Sequence, residues 1–180
     1  MEKQGIYIRE LTVTDIDALL SYEIKNRDFL KDTIPLKADI YYTLAGQQQR
    51  LENILTCKMN DLGYSYGVFL KKDHTLIGTI DLFQVERGPL QSAWLGYALD
   101  KDYQGYGYTT QGVREVIEIG FNDLQLHRIE AGAMPRNEAS IRVLEKTGFQ
   151  KEGLSLKNVQ INGKWEDHYL FAILNPNSNI

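Results

Sequence analysis

Gly105 and Gly107 interrupt the stretch DYQGYGYTTQG, Asp102 to Gly112, where an apolar strand pattern gives way to an amphipathic helix pattern. A loop that ends a strand and opens a helix presents unpaired backbone N–H groups. The helix adds roughly half a positive charge at that end. Glycine lets the backbone approach a ligand closely and adopt positive φ. Amides around Gly105 and Gly107 could therefore face a phosphate, with Thr109 and Thr110 adding hydroxyl donors at the helix start. A tight connection that needs glycine only for its turn explains the same letters. Two other phosphate loops fit less well. A P-loop requires Gly-Lys-Ser/Thr, and none follows Gly107. A dinucleotide fingerprint requires a third glycine where Thr110 stands and an acidic residue after the next strand, whereas Glu130 lies inside that strand.

The elements that must position this loop follow from periodicity. Ile6–Thr12 alternates apolar and polar residues and reads as a first strand. Thr14 is expected to cap a helix whose buried stripe is Ile16, Leu19, Leu20 and Ile24, with Asp15 and Asp17 suiting its positive end. Pro35 breaks the chain, and Leu44, Leu51, Ile54, Leu55 and Leu62 mark a second helix. Three strands follow, Ser65–Lys72, Leu76–Val85 and Ala93–Asp100. After the glycine loop, Val113, Val116, Ile117, Phe121 and Leu124 share one helical face. His127–Met134 is another strand, Asn137 is placed to cap the next helix, and Gly148 suits its C-terminus. Asn162–Gly163 is a hairpin signal between two last strands. The order β-α-α-β-β-β-α-β-α-β-β predicts an α/β fold, a mixed sheet with helices on its faces.

The totals bound the answer. With 180 residues the chain suits one domain, 1–180. Nineteen aromatic residues (Trp 2, Tyr 11, Phe 6) argue against disorder. A net charge of −4 argues against a general nucleic-acid partner, which needs a basic surface. His74, His127 and His168 are scattered and share no ligand spacing with the lone Cys57, so no metal is expected. One cysteine allows no internal disulfide. The segment MEKQGIYIRELT lacks a signal-peptide core, and no apolar run approaches the ~20 residues of a membrane helix. These features predict a cytoplasmic protein with no membrane partner.

LGYALDKDYQGYGYTTQGV followed by NEASIRVLEKTGFQKEG resembles the GNAT superfamily of acetyl-CoA-dependent N-acetyltransferases, and within it the RimJ/RimL group that acetylates ribosomal-protein N-termini. The resemblance runs from about Ile6 to Leu174. It implies a central sheet of about seven strands and acetyl-CoA as cosubstrate. It implies that Gln104, Gly105, Tyr106, Gly107, Tyr108 and Thr109 hold the pyrophosphate through backbone amides. The strand Gly96–Leu99, including Tyr97 and Leu99, would splay from His127–Met134 and hydrogen-bond the pantetheine arm, in the manner of strand addition. Asn137 would contact that arm, and Ser140 would lie near the thioester sulfur. Relatives are often dimers, so the resemblance implies a homodimer. One departure is Asp102, where the family often carries Gln or Arg; an acid there cannot bind phosphate, which leaves Gln104 as a side-chain helper.

Acyl transfer to an amine needs a neutral nucleophile, a polarised carbonyl and a protonated leaving thiolate. Ser140 can donate to the sulfur, or can simply be a first-turn helix residue. The base is absent from the two places where relatives carry glutamate, because Trp94 and Val159 stand there. Asp81 and Glu86 remain as candidate bases, or as solvated strand charges. The gap bears on the acceptor. An α-amine titrates near ~7.8 and a lysine amine near ~10.4, so deprotonating the second costs about 3.5 kcal/mol more. A site without a strong base therefore suits the α-amine of a protein or peptide. A small-molecule amine, polyamine or aminoglycoside-like, is the alternative acceptor. A coenzyme A-binding module without useful catalysis is the alternative from another class, and an unrelated nucleotide-binding domain is a third. Cys57 could form an acetyl-enzyme only with a base that its neighbours do not supply. His127 and His168 come with no triad pattern. Tyr97 reads as sheet packing, and Tyr106 and Tyr108 as cover for the loop.

Overall fold

The computed structural model describes residues 5–178, and one seven-stranded sheet runs through them. The strands are β1 Ile6–Glu10, β2 Gly63–Leu70, β3 Leu76–Glu86, β4 Ser92–Leu99, β5 Arg128–Ala133, β6 Gln150–Ile161 and β7 Lys164–Leu174. The helices are α1 Ile16–Leu30, α2 Leu44–Met59, α3 Tyr108–Glu118 and α4 Glu138–Lys146. The sheet order is β1-β2-β3-β4-β5-β7-β6, antiparallel except for the parallel pair β4–β5. The element order anticipated from periodicity is the one observed.

Strand alternation divides the core between two faces. On one face Ile80, Leu82, Leu95 and Ile129 pack with Val113, Val116 and Ile117 of α3 and Leu144 of α4. Gly112 brings α3 close, since a Cβ there would lie 2.7 Å from Ile80 Cδ1. On the other face Leu19 and Tyr22 of α1 and Leu51 of α2 pack with Phe69 of β2. This second face matters for function, because the residues between Ile80 and Leu82 and between Leu95 and Tyr97 point towards it.

Several local expectations need correction. β1 ends at Glu10, and a 3-10 turn over Val13–Asp15 precedes α1. Thr14 is therefore not the cap. The Asp15 carboxylate accepts the Thr12 N–H at 2.8 Å and two bonds from Arg9 at 2.7 and 2.6 Å, so the chain turns two residues earlier. Leu19 is buried as expected, but Ile24 is exposed, and α1 buries Tyr22 and Asn26 as well. Leu62 lies beyond the end of α2, and Leu44 and Leu55 are exposed on it. α3 passes into a π-helical turn over Ile119–Asp123, which leaves Leu124 after the helix.

Asp15 gives a stability prediction. Burial opposes its ionisation, but hydrogen bonds from Arg9 and the Thr12 N–H overcome that and hold the carboxyl below its usual range. A group with a depressed folded pKa stabilises above its unfolded value, near ~3.9, and loses that contribution as pH falls through the folded value. Asp15→Asn is expected to lower the melting temperature at neutral pH, with the gap closing in acid. Melting curves across pH check this; a gap independent of pH contradicts it.

Candidate active site

β4 and β5 pair only over Ser92–Trp94 and Arg128–Glu130. Beyond that point β4 continues on β3 as far as Leu99, opposite Gly78, and β5 continues on β7 as far as Ala133, opposite Tyr169. Each strand is thus paired on its outer side while the two part from each other on the inner side. The result is a wedge whose walls carry main-chain groups of Leu95–Leu99 and Ala131–Ala133. An extended ligand can add to such an edge as a further strand does.

The glycine loop closes the β4 side of the wedge. Gly105 has φ 81° and Gly107 has φ 79°. A Cβ on Gly105 would meet nothing within 4 Å, so this stretch of backbone faces open space. The N–H groups of Gly105 and Gly107 make no backbone hydrogen bond among the described residues. The first intrahelical bond of α3 runs from the Gln111 N–H to the Gly107 carbonyl at 3.0 Å, which leaves the N–H of Thr109 to look outward. Tyr106 and Tyr108 stack at 5.7 Å, and Tyr108 is buried beneath the loop. The arrangement is an anion cradle of main-chain donors at a helix N-terminus.

Two side chains in this loop differ from expectation. The Gln104 amide donates to the Leu99 carbonyl at 2.9 Å, so it braces the loop rather than reaching outward. The Leu99 side chain is core, and its carbonyl is engaged by Gln104. Asp102 also has a structural task. Lys25 of α1 bridges Asp100 and Asp102, both at 2.8 Å, and compensates two acids that stand beside the anion cradle. Fully buried Asn26 accepts the Lys101 N–H at 3.0 Å and fixes α1 to the same loop.

On the α4 side, Asn137 caps the helix by accepting the Ser140 N–H at 3.2 Å. Ser140 Oγ lies 2.8 Å from Tyr97 Oη, and the Tyr97 hydroxyl also donates to the Ser140 carbonyl at 3.1 Å. Burial pushes the Tyr97 phenol up to about 12, so it remains a proton carrier at neutral pH. Tyr97 thus does more than pack the sheet. Its hydroxyl joins the wedge wall to Ser140, a pairing over 43 residues that no local pattern displays.

The opposite face of the sheet carries the acids and a histidine. Asp81 lies directly across from Gly96 of β4 and Ser65 of β2. Burial pushes its carboxyl above the usual range, against the pull of Ser65 and Arg50. Arg50 of α2 bonds Glu23 of α1 at 2.7 Å, and Tyr41 donates to the same carboxylate at 3.2 Å. Glu86 pairs with Ser92, at the closed end of the wedge and away from its opening. Phe83 lies over Gly96, where a Cβ would stand 3.2 Å from its ring. A Cβ on Gly132 would stand 3.6 Å from His168 Cδ2 and 3.9 Å from Trp94 Cζ3. Both wedge walls therefore carry a glycine overlaid by rings. Val159 pairs with Glu166 across the β6–β7 hairpin, and Glu166 is held by Arg136 at 3.2 Å and Lys164 at 3.1 Å. Cys57 is exposed on α2. Among the described residues no cluster of His, Cys, Asp or Glu side chains could hold a metal ion, and no helix is long and apolar enough to cross a membrane.

A family model described as an acetyltransferase (GNAT) domain matches residues 6–150. The probable N-acetyltransferase YjcK of Bacillus subtilis (strain 168) is 51% identical over 176 residues, which is 98% of this chain and 97% of the relative. Among solved structures, the ribosomal-protein-S5-alanine acetyltransferase from Vibrio fischeri has a TM-score of 0.94 at 33% identity, covering 100% of this chain and 98% of that one. Mycobacterium smegmatis RimJ in complex with CoA-disulfide has a TM-score of 0.90 at 25% identity, covering 96% of this chain and 83% of that one.

Proposed function

This chain belongs to the GNAT acetyltransferase family, and we propose that it moves the acetyl group of acetyl-CoA directly onto the N-terminal α-amine of a protein or peptide. The carrying observation is the wedge between β4 and β5, with an anion cradle at one end and the Ser140–Tyr97 hydroxyl pair on its wall. Gly105, Gly107 and Thr109 offer N–H groups to the diphosphate, while Tyr108 supports the loop from beneath, stacked on Tyr106. The pantetheine arm lies along Gly96–Leu99 and against Asn137. Ser140, bonded to Tyr97, donates to the sulfur as the C–S bond breaks.

The acceptor enters from the face that carries Asp81, Phe83 and Trp94. The Asp81 carboxyl can accept a hydrogen bond from the amine, and the rings accommodate a cation or a small apolar side chain. Trp94 and Val159 leave the two expected glutamate positions without acids, which favours an amine that needs only mild help in deprotonation. The Vibrio fischeri relative, named for acetylating an alanine of a ribosomal protein, supports the same acceptor class.

Incubating the protein with acetyl-CoA and a panel of amines, read by mass spectrometry, tests the acceptor class. Peptides with a free α-amine are expected to gain one acetyl group, and the same peptides with a blocked N-terminus and a free lysine are not. Acetylation of polyamines or aminoglycosides alone would overturn the α-amine assignment. Coenzyme A binding without acetylation of any amine would overturn the enzymatic reading of the site.

A further inference from the structure

We propose that His168 is the base that accepts the proton of the acceptor amine; this rests on the acetyltransferase reading given above. His168 lies on β7 and is 8% exposed. Its Nδ1 stands 3.2 Å from the Glu166 carbonyl oxygen. A carbonyl only accepts, so Nδ1 carries the hydrogen and Nε2 of the neutral ring carries the lone pair. The ring lies beside Gly132, its Cδ2 3.6 Å from where a Cβ on Gly132 would stand, and Nε2 is not among the fully buried unpartnered side-chain atoms. Gly132 sits on β5 beyond the last β4–β5 pair, on the acceptor face of the wedge. A Cβ at that position would be in ordinary van der Waals contact with the ring, so the imidazole forms part of the surface beside this wall of the wedge.

The other charged groups of this face are already engaged. Glu166 is held by Arg136 and Lys164. Glu130 of β5 and Glu152 of β6 are both bonded by Arg128. Asp81, on β3, lies across the wedge beside Arg50 and Ser65. Among the described residues, Nε2 of His168 makes no hydrogen bond to a protein group, and its ring lies beside Gly132 of β5. An imidazole is strong enough to deprotonate an α-amine near neutral pH and poorly matched to a lysine amine, in keeping with the proposed acceptor.

The step balances as follows. The ammonium gives one proton to Nε2, the freed lone pair forms the C–N bond, and the electron pair of the C–S bond leaves on sulfur. Ser140 protonates the sulfur, and the second proton lost by nitrogen returns to the Ser140 oxygen to restore its hydroxyl. The imidazolium releases its proton to water.

The test is kcat/KM against pH, with a peptide bearing a free α-amine, for wild type, His168→Gln, His168→Gly and Asp81→Asn. His168→Gln is expected to lose roughly 100-fold in kcat/KM and to lose the acid limb of the profile, while coenzyme A affinity stays unchanged. Added imidazole is expected to restore part of the rate to His168→Gly. The inference is overturned if His168→Gln keeps both rate and acid limb, if the limb disappears in Asp81→Asn alone, or if imidazole has no effect on His168→Gly that still binds coenzyme A. Failure of the wild type to acetylate any amine sinks the acetyltransferase reading itself, which separates the two.

Discussion

Replacing Ser140 with alanine is expected to lower kcat by roughly 100-fold or more while coenzyme A affinity stays nearly constant, the range for removing one positioned proton donor. The departing thiolate needs a proton as the C–S bond breaks, and Ser140 Oγ is the hydroxyl that α4 holds beside the wedge. Its position is over-determined. The Asn137 cap fixes the first turn of α4, and Tyr97 meets Oγ at 2.8 Å from the wall of β4. Burial keeps Tyr97 protonated at neutral pH, so its hydroxyl positions Ser140 Oγ without itself giving up a proton. Tyr97→Phe is expected to give a smaller loss in the same direction, since Ser140 survives but loses its partner. Steady-state kinetics with separate kcat and KM for acetyl-CoA read both variants. Unchanged kcat in Ser140→Ala would remove the proton-donor role and leave Ser140 as a helix residue.

Gly107→Val is expected to weaken acetyl-CoA binding by about 10- to 100-fold for each main-chain hydrogen bond to the diphosphate that it breaks. Gly107 holds φ 79° at the residue before α3, a conformation that a β-branched residue takes only as an outlier. Relieving the strain rotates the amides that face outward and breaks the cradle. A donor that lacks the diphosphate, the acetyl thioester of pantetheine, separates this cause from general damage. The variant should use that truncated donor about as well as the wild type does. An equal loss with both donors would mean that the whole wedge has shifted and that the loop is not a diphosphate cradle.

The fold was largely legible because its elements announce themselves by local period. Alternation along Leu76–Val85 and the shared face of Val113, Val116 and Ile117 need no distant partner to be recognised. The misreadings have equally local causes. α1 buries Tyr22 and Asn26 beside Leu19, and those polar types hid the true stripe while apolar Ile24 faces solvent. Thr14 has the side chain of a cap, yet Asp15 and Arg9 start the turn earlier.

The site divides in the same way. The half proposed for the cofactor is written in a contiguous run, Gln104–Thr109, with Asn137 and Ser140 three residues apart. Its acceptor half is assembled from separate elements. Asp81 acquires its burial from neighbours on α1 and α2, His168 meets Gly132 across a strand pair, and Tyr97 finds Ser140 across the wedge. The wedge itself depends on where the β4–β5 register ends, at Trp94 and Glu130, which no residue type marks. Asp102 is an acid beside an anion cradle in the sequence alone, and only the fold brings Lys25 to bridge it to Asp100.

A crystal structure with coenzyme A bound tests the central claim most directly. The account predicts diphosphate oxygens within hydrogen-bonding distance of the Gly105 and Gly107 N–H groups, the pantetheine arm extended beside Gly96–Leu99, and the sulfur next to Ser140. A coenzyme held elsewhere, or a loop whose amides turn inward to bond one another while the wedge stays empty, would contradict it.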